Sequence, residues 1–522
     1  MVNKEIKSSE SISISREEYD NLIKENKNLK QQINWLEECI KLKNKRIFGS
    51  SSEQNLCGDS DQVNFFNEIE LYGDEKAPEP ELTEVKTHYR KSQKAHLKDR
   101  LPEDLPVEIV EHRLNDEAVK CPKCGEEMHE IGKETVREEL KIIPAKAVIV
   151  RHIRYSYACR NCERNDISVP VIKASVPKAP VKGGFASPEA VAYIMSQKYV
   201  LDIPLYRQEQ EFKRRDIKLS RQTMCNWLIK CSQNWLKPIY DEIHKEFLKC
   251  SIIHCDETVI QVLKEPGKTA QSKSYMWLYR SGSYEKKQIA LYDYAPSRNA
   301  KHAVSFLEGF SGYIHVDAYQ AYKKLTGDIT LVECFAHARR KFAEAVEVLT
   351  PEQKKESKAV KGLEYCDKLF ALEDKIKDDE PDIRYAMRQE VAKPILDEFL
   401  SWLNNCNATP KSHFGRAVAY TLNQWEYLTN YLLDGKLDIS NNRAEHLAKS
   451  FAVCRKNFLF SNTPKGAESS AVTYSVIATA MANKLDPYEY LTYVLKTAPN
   501  IDMSEPEEIR QLLPWNVNIP VA

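Results

Sequence analysis

The sequence predicts a multidomain α+β chain. An N-terminal coiled coil, a four-cysteine ribbon and a helix-turn-helix-like helical region precede an α/β sheet domain that is interrupted by an all-helical insertion. Three observations carry this. Mostly apolar residues recur at heptad spacing near the start, two C-x-x-C pairs flank a segment of alternating hydrophobicity, and five strand-like stretches from residue 250 precede a charged helical run. At 522 residues, 42% of them hydrophobic, the chain has material for roughly three or four domains of about 150 residues. The expected boundaries are residues 1–50 for the coiled coil, 51–105 for a charged linker, 106–172 for the ribbon and 173–247 for the helical region. Residues 248–350 and 433–485 form the sheet domain, 351–432 the insertion and 486–522 a C-terminal segment.

In the first segment Tyr19, Leu22, Asn26, Leu29, Ile33, Leu36 and Ile40 are separated by alternating steps of three and four. Isoleucine at a positions (Ile33, Ile40) with leucine at d positions (Leu22, Leu29, Leu36) favours two parallel strands, and Asn26 at an a position fixes register. A homodimer is therefore expected. Residues 57–85 are acidic and poor in periodicity, and the basic run KTHYRKSQKAHLKDR follows, so both read as linker.

Cys121 with Cys124 and Cys159 with Cys162 are separated by 34 residues of strand-like sequence. Each pair offers two thiolates from a tight turn, and two such turns complete a tetrahedral structural zinc site, here in an enlarged ribbon. Most of the 14 cysteines are scattered singly, as in a reducing compartment. No apolar run approaches the roughly 18 residues of a membrane span, and MVNKEIKSSESISIS has no apolar signal core. These features predict a cytoplasmic protein without membrane partners.

In the helical region, Ser187 as N-cap with Pro188 after it starts a helix. YRQEQEFKRRD and SRQTMCNWLIK then form two short helices, the second capped by Ser220, in a helix-turn-helix pattern. Arg207, Arg214, Arg215, Lys218 and Arg221 make this stretch basic enough to meet the phosphates of double-stranded DNA. Lys plus Arg and Asp plus Glu both number 76, so any nucleic-acid contact must come from such local patches.

The sheet domain opens with IIHCDETVIQVL, a buried-strand pattern that carries Asp256 and Glu257. Strand alternation places Asp256 on one face with His254 and Thr258, and Glu257 on the other with Cys255 and Val259. Asp317 ends a second apolar strand, GYIHVD. Carboxylates at such positions are either hydrogen-bonded to a neighbour or held for a cation, and taken alone each Asp is more often a turn or cap residue; a two-metal phosphodiester site would need a third acid, from Asp438, Glu445 or Glu468. Local sequence argues against Glu445, since Asn442 three residues before it fits a capping box.

The segments RIFGSSSEQ, CPKC with CRNC, PLYRQEQEF, HCDET, HVDAYQAY, CFAHARRKF, NNRAEHLAKSFAVCRKNFLF, DPYEYL and LPWN resemble, in this order, the motifs of insertion-sequence 66 family transposases. The resemblance runs from about residue 46 to 516. It implies a ribonuclease-H-like α/β catalytic core whose Asp-Asp-Glu triad binds two magnesium (or manganese) ions and joins element ends to target DNA. On this resemblance Asp256, Asp317 and Glu445 are the triad, separated by 61 and 128 residues, and His446 stands where an arginine is expected. One ion would activate a water or a freed 3′-hydroxyl and the other would stabilise the leaving oxygen. Arg339 and Arg340 of HARRK, with Arg455 and Lys456 of RKN, would contact DNA phosphates. The family also suggests a dimer or higher assembly on DNA and small companion proteins. Two other readings stay open: a dimeric zinc-containing DNA-binding regulator with an inactive sheet domain, and a nuclease of the same fold without strand transfer.

Overall fold

The computed structural model describes Arg16, Ile23, Glu25, Asn26, Leu29 and residues 147–158 and 171–519. The five N-terminal positions are helical, among them Asn26 and Leu29 of the heptad seam. The other seam residues and Cys121, Cys124, Cys159 and Cys162 lie outside the described residues. Residues 147–175 and 176–519 belong to two separate compact units. In the first, β1 (Ser156–Ala158) pairs antiparallel with β2 (Val171–Lys173).

The second unit begins with helices α1 (Pro188–Tyr199), α2 (Leu205–Arg214), α3 (Arg221–Cys231) and α4 (Lys237–Phe247), with a π-helical turn between the last two. As their sequences predict, the Ser187 and Ser220 side chains cap α1 and α3 by accepting backbone N–H groups. α2 and α3 are tied by the Arg221 N–H, which donates to Glu209 Oε1 at 2.9 Å.

Five strands follow: β3 (Ile252–Gln261), β4 (Lys273–Ser281), β5 (Ala290–Ala295), β6 (Gly312–Val316) and β7 (Ile329–Glu333). Their order is β5-β4-β3-β6-β7, antiparallel through the hairpins β3-β4-β5 and parallel for β3-β6-β7. The short helix α5 (Ala300–Phe306) lies in the crossover from β5 to β6. Gly312 enters β6 at φ +133°, where a Cβ would stand 2.3 Å from the Ser251 carbonyl oxygen, so only glycine lets the two strands meet there.

Helix α6 (Phe335–Glu347) leaves β7 and leads into the helical residues α7 (Pro351–Glu356), α8 (Lys358–Ile376), α9 (Pro381–Met387), α10 (Lys393–Asn404), α11 (His413–Asn423) and α12 (Trp425–Thr429). They pack a second core around Phe342, Tyr365 and Phe399. The chain then returns as α13 (Asn442–Phe458), α14 (Pro464–Ala482), α15 (Pro487–Thr497) and α16 (Pro506–Arg510). α14 covers the edge strand β5: Ser475 Oγ and Thr479 Oγ1 accept the N–H groups of Tyr292 and Ala290 at 2.8 and 3.1 Å. Hydroxyls inside an apolar helix thus satisfy an edge that would otherwise invite pairing.

Within the helical residues Arg388 is completely buried. It starts a π-helical turn and spends all five of its N–H donors, on Glu373 at 2.8 and 2.7 Å and on the carbonyls of Tyr431, Asp434 and Leu437. Removing the guanidinium would delete five hydrogen bonds from a buried site and leave Glu373 with Arg384 as its remaining cation, at 3.4 Å. We expect Arg388→Met to destabilise the full chain by about 3–5 kcal/mol, read from the midpoint of urea unfolding.

Candidate active site

Parallel pairing of β3 with β6 sets His254 opposite His315, and their rings stack with centroids 4.2 Å apart and planes 9° apart. Two residues further along each strand come Asp256 and Asp317, on the same face by the period of two and on strands about 4.8 Å apart. The first turn of α13 brings Glu445 to them. The three acids, with His337, Asn441, Ala448 and Lys449, line a cavity of about 210 Å³.

The capping box expected at Asn442 does not form. The helix begins at Asn442 and its cap is Asn441, whose side chain makes no cap bond. That amide is committed elsewhere: Nδ2 donates to the Cys255 carbonyl at 2.8 Å, so Oδ1 is left to accept Nδ1–H of His254 at 3.1 Å. The Asn441 N–H points at Cys334 Sγ, 3.2 Å away. With no cap to close, Glu445 is free to face the cavity.

Among the described residues Asp256 accepts only the N–H of Glu257, at 2.8 Å, and Asp317 that of Tyr319, at 3.0 Å. Among the described residues no Lys or Arg stands within 4.0 Å of Asp256, Asp317 or Glu445. Burial, with Glu257, Asp317 and Glu445 nearby, pushes the Asp256 carboxyl up to about 8. Glu257 differs: on the opposite face it accepts Arg298 Nε at 2.8 Å and the Tyr322 hydroxyl at 2.7 Å. Arg298 in turn lies 3.7 Å from the Tyr319 ring, bracing the turn that holds Asp317. Three carboxylates at one cavity, with no Lys or Arg within 4.0 Å of them among the described residues, offer the oxygen donors that hard divalent ions require.

Neither of the other two candidate acids lines this cavity. Asp438 sits behind it, with Oδ2 3.5 Å from His254 Nε2 and Oδ1 3.8 Å from Arg384. Burial opposes its ionisation, but His254 and Arg384 outweigh that and hold it well below the ordinary carboxylate range. Burial and the adjacent His254 keep His315 neutral. Glu468, on α14, adds its charge to that of half-buried Asp293 on β5 instead.

Of the basic residues, Arg207, Arg214, Arg215 and Arg221 are exposed on α2 and α3. Arg214 and Arg215 both pair with Glu211, and Arg221 lies over the Tyr206 ring. Arg340 and Lys456 are exposed, whereas Arg339 pairs with Asp367 of α8 at 2.6 Å and Arg455 donates to the Val259 carbonyl. Sequence reasoning assigned no role to His337, Asn441 or Lys449. His337 and Asn441 lie inside quoted motifs, and Lys449 lies one helical turn beyond Glu445, which was the available signal.

The family profile described as "Transposase IS66 family" matches residues 183–469. The chain belongs to the IS66 transposase family. Three further profiles of this transposase group agree: its zinc-finger binding domain at residues 120–163, the "IS66 C-terminal element" at 475–515 and "Transposase C of IS166 homeodomain" at 35–110. The IS66 chain is similar to the uncharacterized protein y4jD of Sinorhizobium fredii, 31% identical over 432 residues that span 80% of this chain and 81% of the relative. The uncharacterized protein y4qI of the same organism is 28% identical over 522 residues, covering 94% and 90%. The zinc-finger match supports structural zinc in the segment containing the two C-x-x-C pairs. Among the described residues no helix is long and apolar enough to cross a membrane.

Because the Asp256 pKa is raised from 3.8 to about 8, the stabilising protonated form is present in full at low pH and is lost as pH rises through 8. Without added magnesium or manganese, Asp256→Asn should therefore raise the melting temperature, more at pH 8 than at pH 5, as scanning calorimetry would show.

Proposed function

We propose that this IS66 family transposase cleaves and joins element ends in double-stranded DNA, with Asp256, Asp317 and Glu445 holding two magnesium or manganese ions. The observation that carries this reading is the convergence of three carboxylates, none neutralised by Lys or Arg among the described residues, on one cavity. They come from the central strand, the end of its parallel neighbour and the helix that follows the helical residues 351–432. Three antiparallel strands beside two parallel ones, with acids at these places, support a ribonuclease-H-like core formed by residues 248–350 and 433–485. On the same reading residues 351–432 are an insertion into that core and 486–522 a C-terminal segment. Residues 1–50 dimerise as a coiled coil, and 51–105 are linker. Cys121, Cys124, Cys159 and Cys162 bind zinc in a ribbon over 106–172.

When bound, such an ion pair activates the attacking oxygen, of water or a 3′-hydroxyl, and stabilises the leaving one. The chain's own contribution is placement. Asn441 fixes the start of α13 against β3 and so sets Glu445 against Asp256. Arg298 and Tyr322 keep Glu257 engaged on the far face of β3. Lys449, at the cavity, offers an ammonium group to a phosphate oxygen. Exposed Arg207, Arg214, Arg215 and Arg221 of the 173–247 region, with Arg340 and Lys456, would track the DNA backbone, while Arg339 and Arg455 would reach phosphate only by leaving their internal partners.

The test is a cleavage and joining assay on DNA carrying the element ends, with magnesium. Asp256→Asn, Asp317→Asn and Glu445→Gln should each keep DNA binding and lose on the order of 10³-fold in rate, roughly 4 kcal/mol. Retained chemistry in Glu445→Gln would sink its assignment as the third carboxylate.

A further inference from the structure

Resting on the carboxylate site proposed above, the structure assigns His337 as a nitrogen ligand to the divalent ion that Glu445 holds, which makes this a mixed imidazole and carboxylate site. His337 stands on the first turn of α6 and lines the same cavity as the three acids. Its Nε2 lies 4.0 Å from Glu445 Oε1, too far for a hydrogen bond. The gap instead suits one ion between them. Two ligands each about 2.1 Å from a shared metal stand roughly 3 to 4.2 Å apart.

The ring has no structural employment that would explain its place. Among the described residues neither ring nitrogen makes a hydrogen bond, and Nδ1 is buried without a partner. A solvated surface histidine would not be held so, with only about a quarter of its side chain exposed and its tip facing a carboxylate. The donor atoms of Cys334, His337 and Glu445 all lie within 4.8 Å of one another, but the thiol is not an equivalent candidate. Cys334 is enclosed and does not line the cavity; its sulfur accepts the Asn441 N–H at 3.2 Å and its S–H is directed at Glu445 Oε1, 3.9 Å away. Cys334 thus belongs to the clamp on α13, and His337 faces the ion.

An imidazole nitrogen among carboxylate oxygens shifts a site away from magnesium and toward manganese and later divalent metals. The full chain, with its zinc in place, should bind Mn²⁺ at least about tenfold more tightly than Mg²⁺, and His337→Gln should remove most of that preference. Pulsed electron paramagnetic resonance of the Mn²⁺-loaded chain reads the bond itself. Wild type should show ¹⁴N imidazole coupling that changes to the ¹⁵N pattern when histidine is ¹⁵N-labelled, a comparison that needs no substitution, and the coupling should vanish in His337→Gln. Manganese that binds in dependence on Asp256 and Glu445 but shows no nitrogen coupling overturns the assignment of His337 and leaves the carboxylate site standing. Manganese binding unaffected by Asp256→Asn and Glu445→Gln overturns both.

Discussion

The buried amide of Asn441 is the contact on which the cavity depends. With the backbone N–H of the same residue it joins three pieces of chain far apart in sequence: the amide holds β3 through the Cys255 carbonyl and His254, the N–H holds the start of α6 through Cys334 Sγ, and α13 begins at the next residue. A second bond, from the Phe335 N–H to the Ile439 carbonyl at 3.0 Å, runs between the same α6 and α13 approaches. Each of these polar groups is buried, so each would cost about 1–3 kcal/mol if left unmade. The alternatives to this one arrangement are therefore poor, and a rigid corner results.

Behind that corner lies a chain of buried charge. Glu373 on α8 binds Arg388 and Arg384, Arg384 faces Asp438, and Asp438 faces His254, which returns to Asn441. Such networks gain little net stability, because desolvation offsets most of the attraction. They do specify geometry, since a displaced member leaves an unpaired charge in low dielectric. The helical residues 351–432 thereby approach the strand that carries Asp256 through a series of hydrogen bonds and longer ion pairs, the longest being Arg384–Asp438 at 3.8 Å.

The two adjacent acids of β3 illustrate how burial divides roles. Glu257 has Arg298 and Tyr322 as partners and is satisfied within the fold. Asp256, one residue earlier and on the other face, is half-buried among like charges, with one backbone N–H as its hydrogen-bond partner among the described residues. The fold carries this electrostatic cost at a point that faces a cavity, where a bound cation would relieve it.

The elements were legible in the sequence because they rest on local chemistry. Alternation marked the five strands, and Ser187, Pro188 and Ser220 marked helix starts, since a hydroxyl beside free N–H groups acts the same way in any context. The opposite faces of Asp256 and Glu257 followed from the strand period alone. Local chemistry misjudged Asn442, because the choice of cap depended on what Asn441 bonds across 186 residues of chain. It could not rank Asp438, Glu445 and Glu468, which differ only in what lies opposite each of them. Nor could it see His337, whose place beside Glu445 spans more than 100 residues and exists only once β7 and α6 have packed against α13. The sequence by itself determined which stretches form the strands and helices of the sheet domain and that Asp256 and Glu257 lie on opposite faces of β3. Tertiary packing alone decided which acids share a cavity, because burial and counter-charge are properties of neighbours in space.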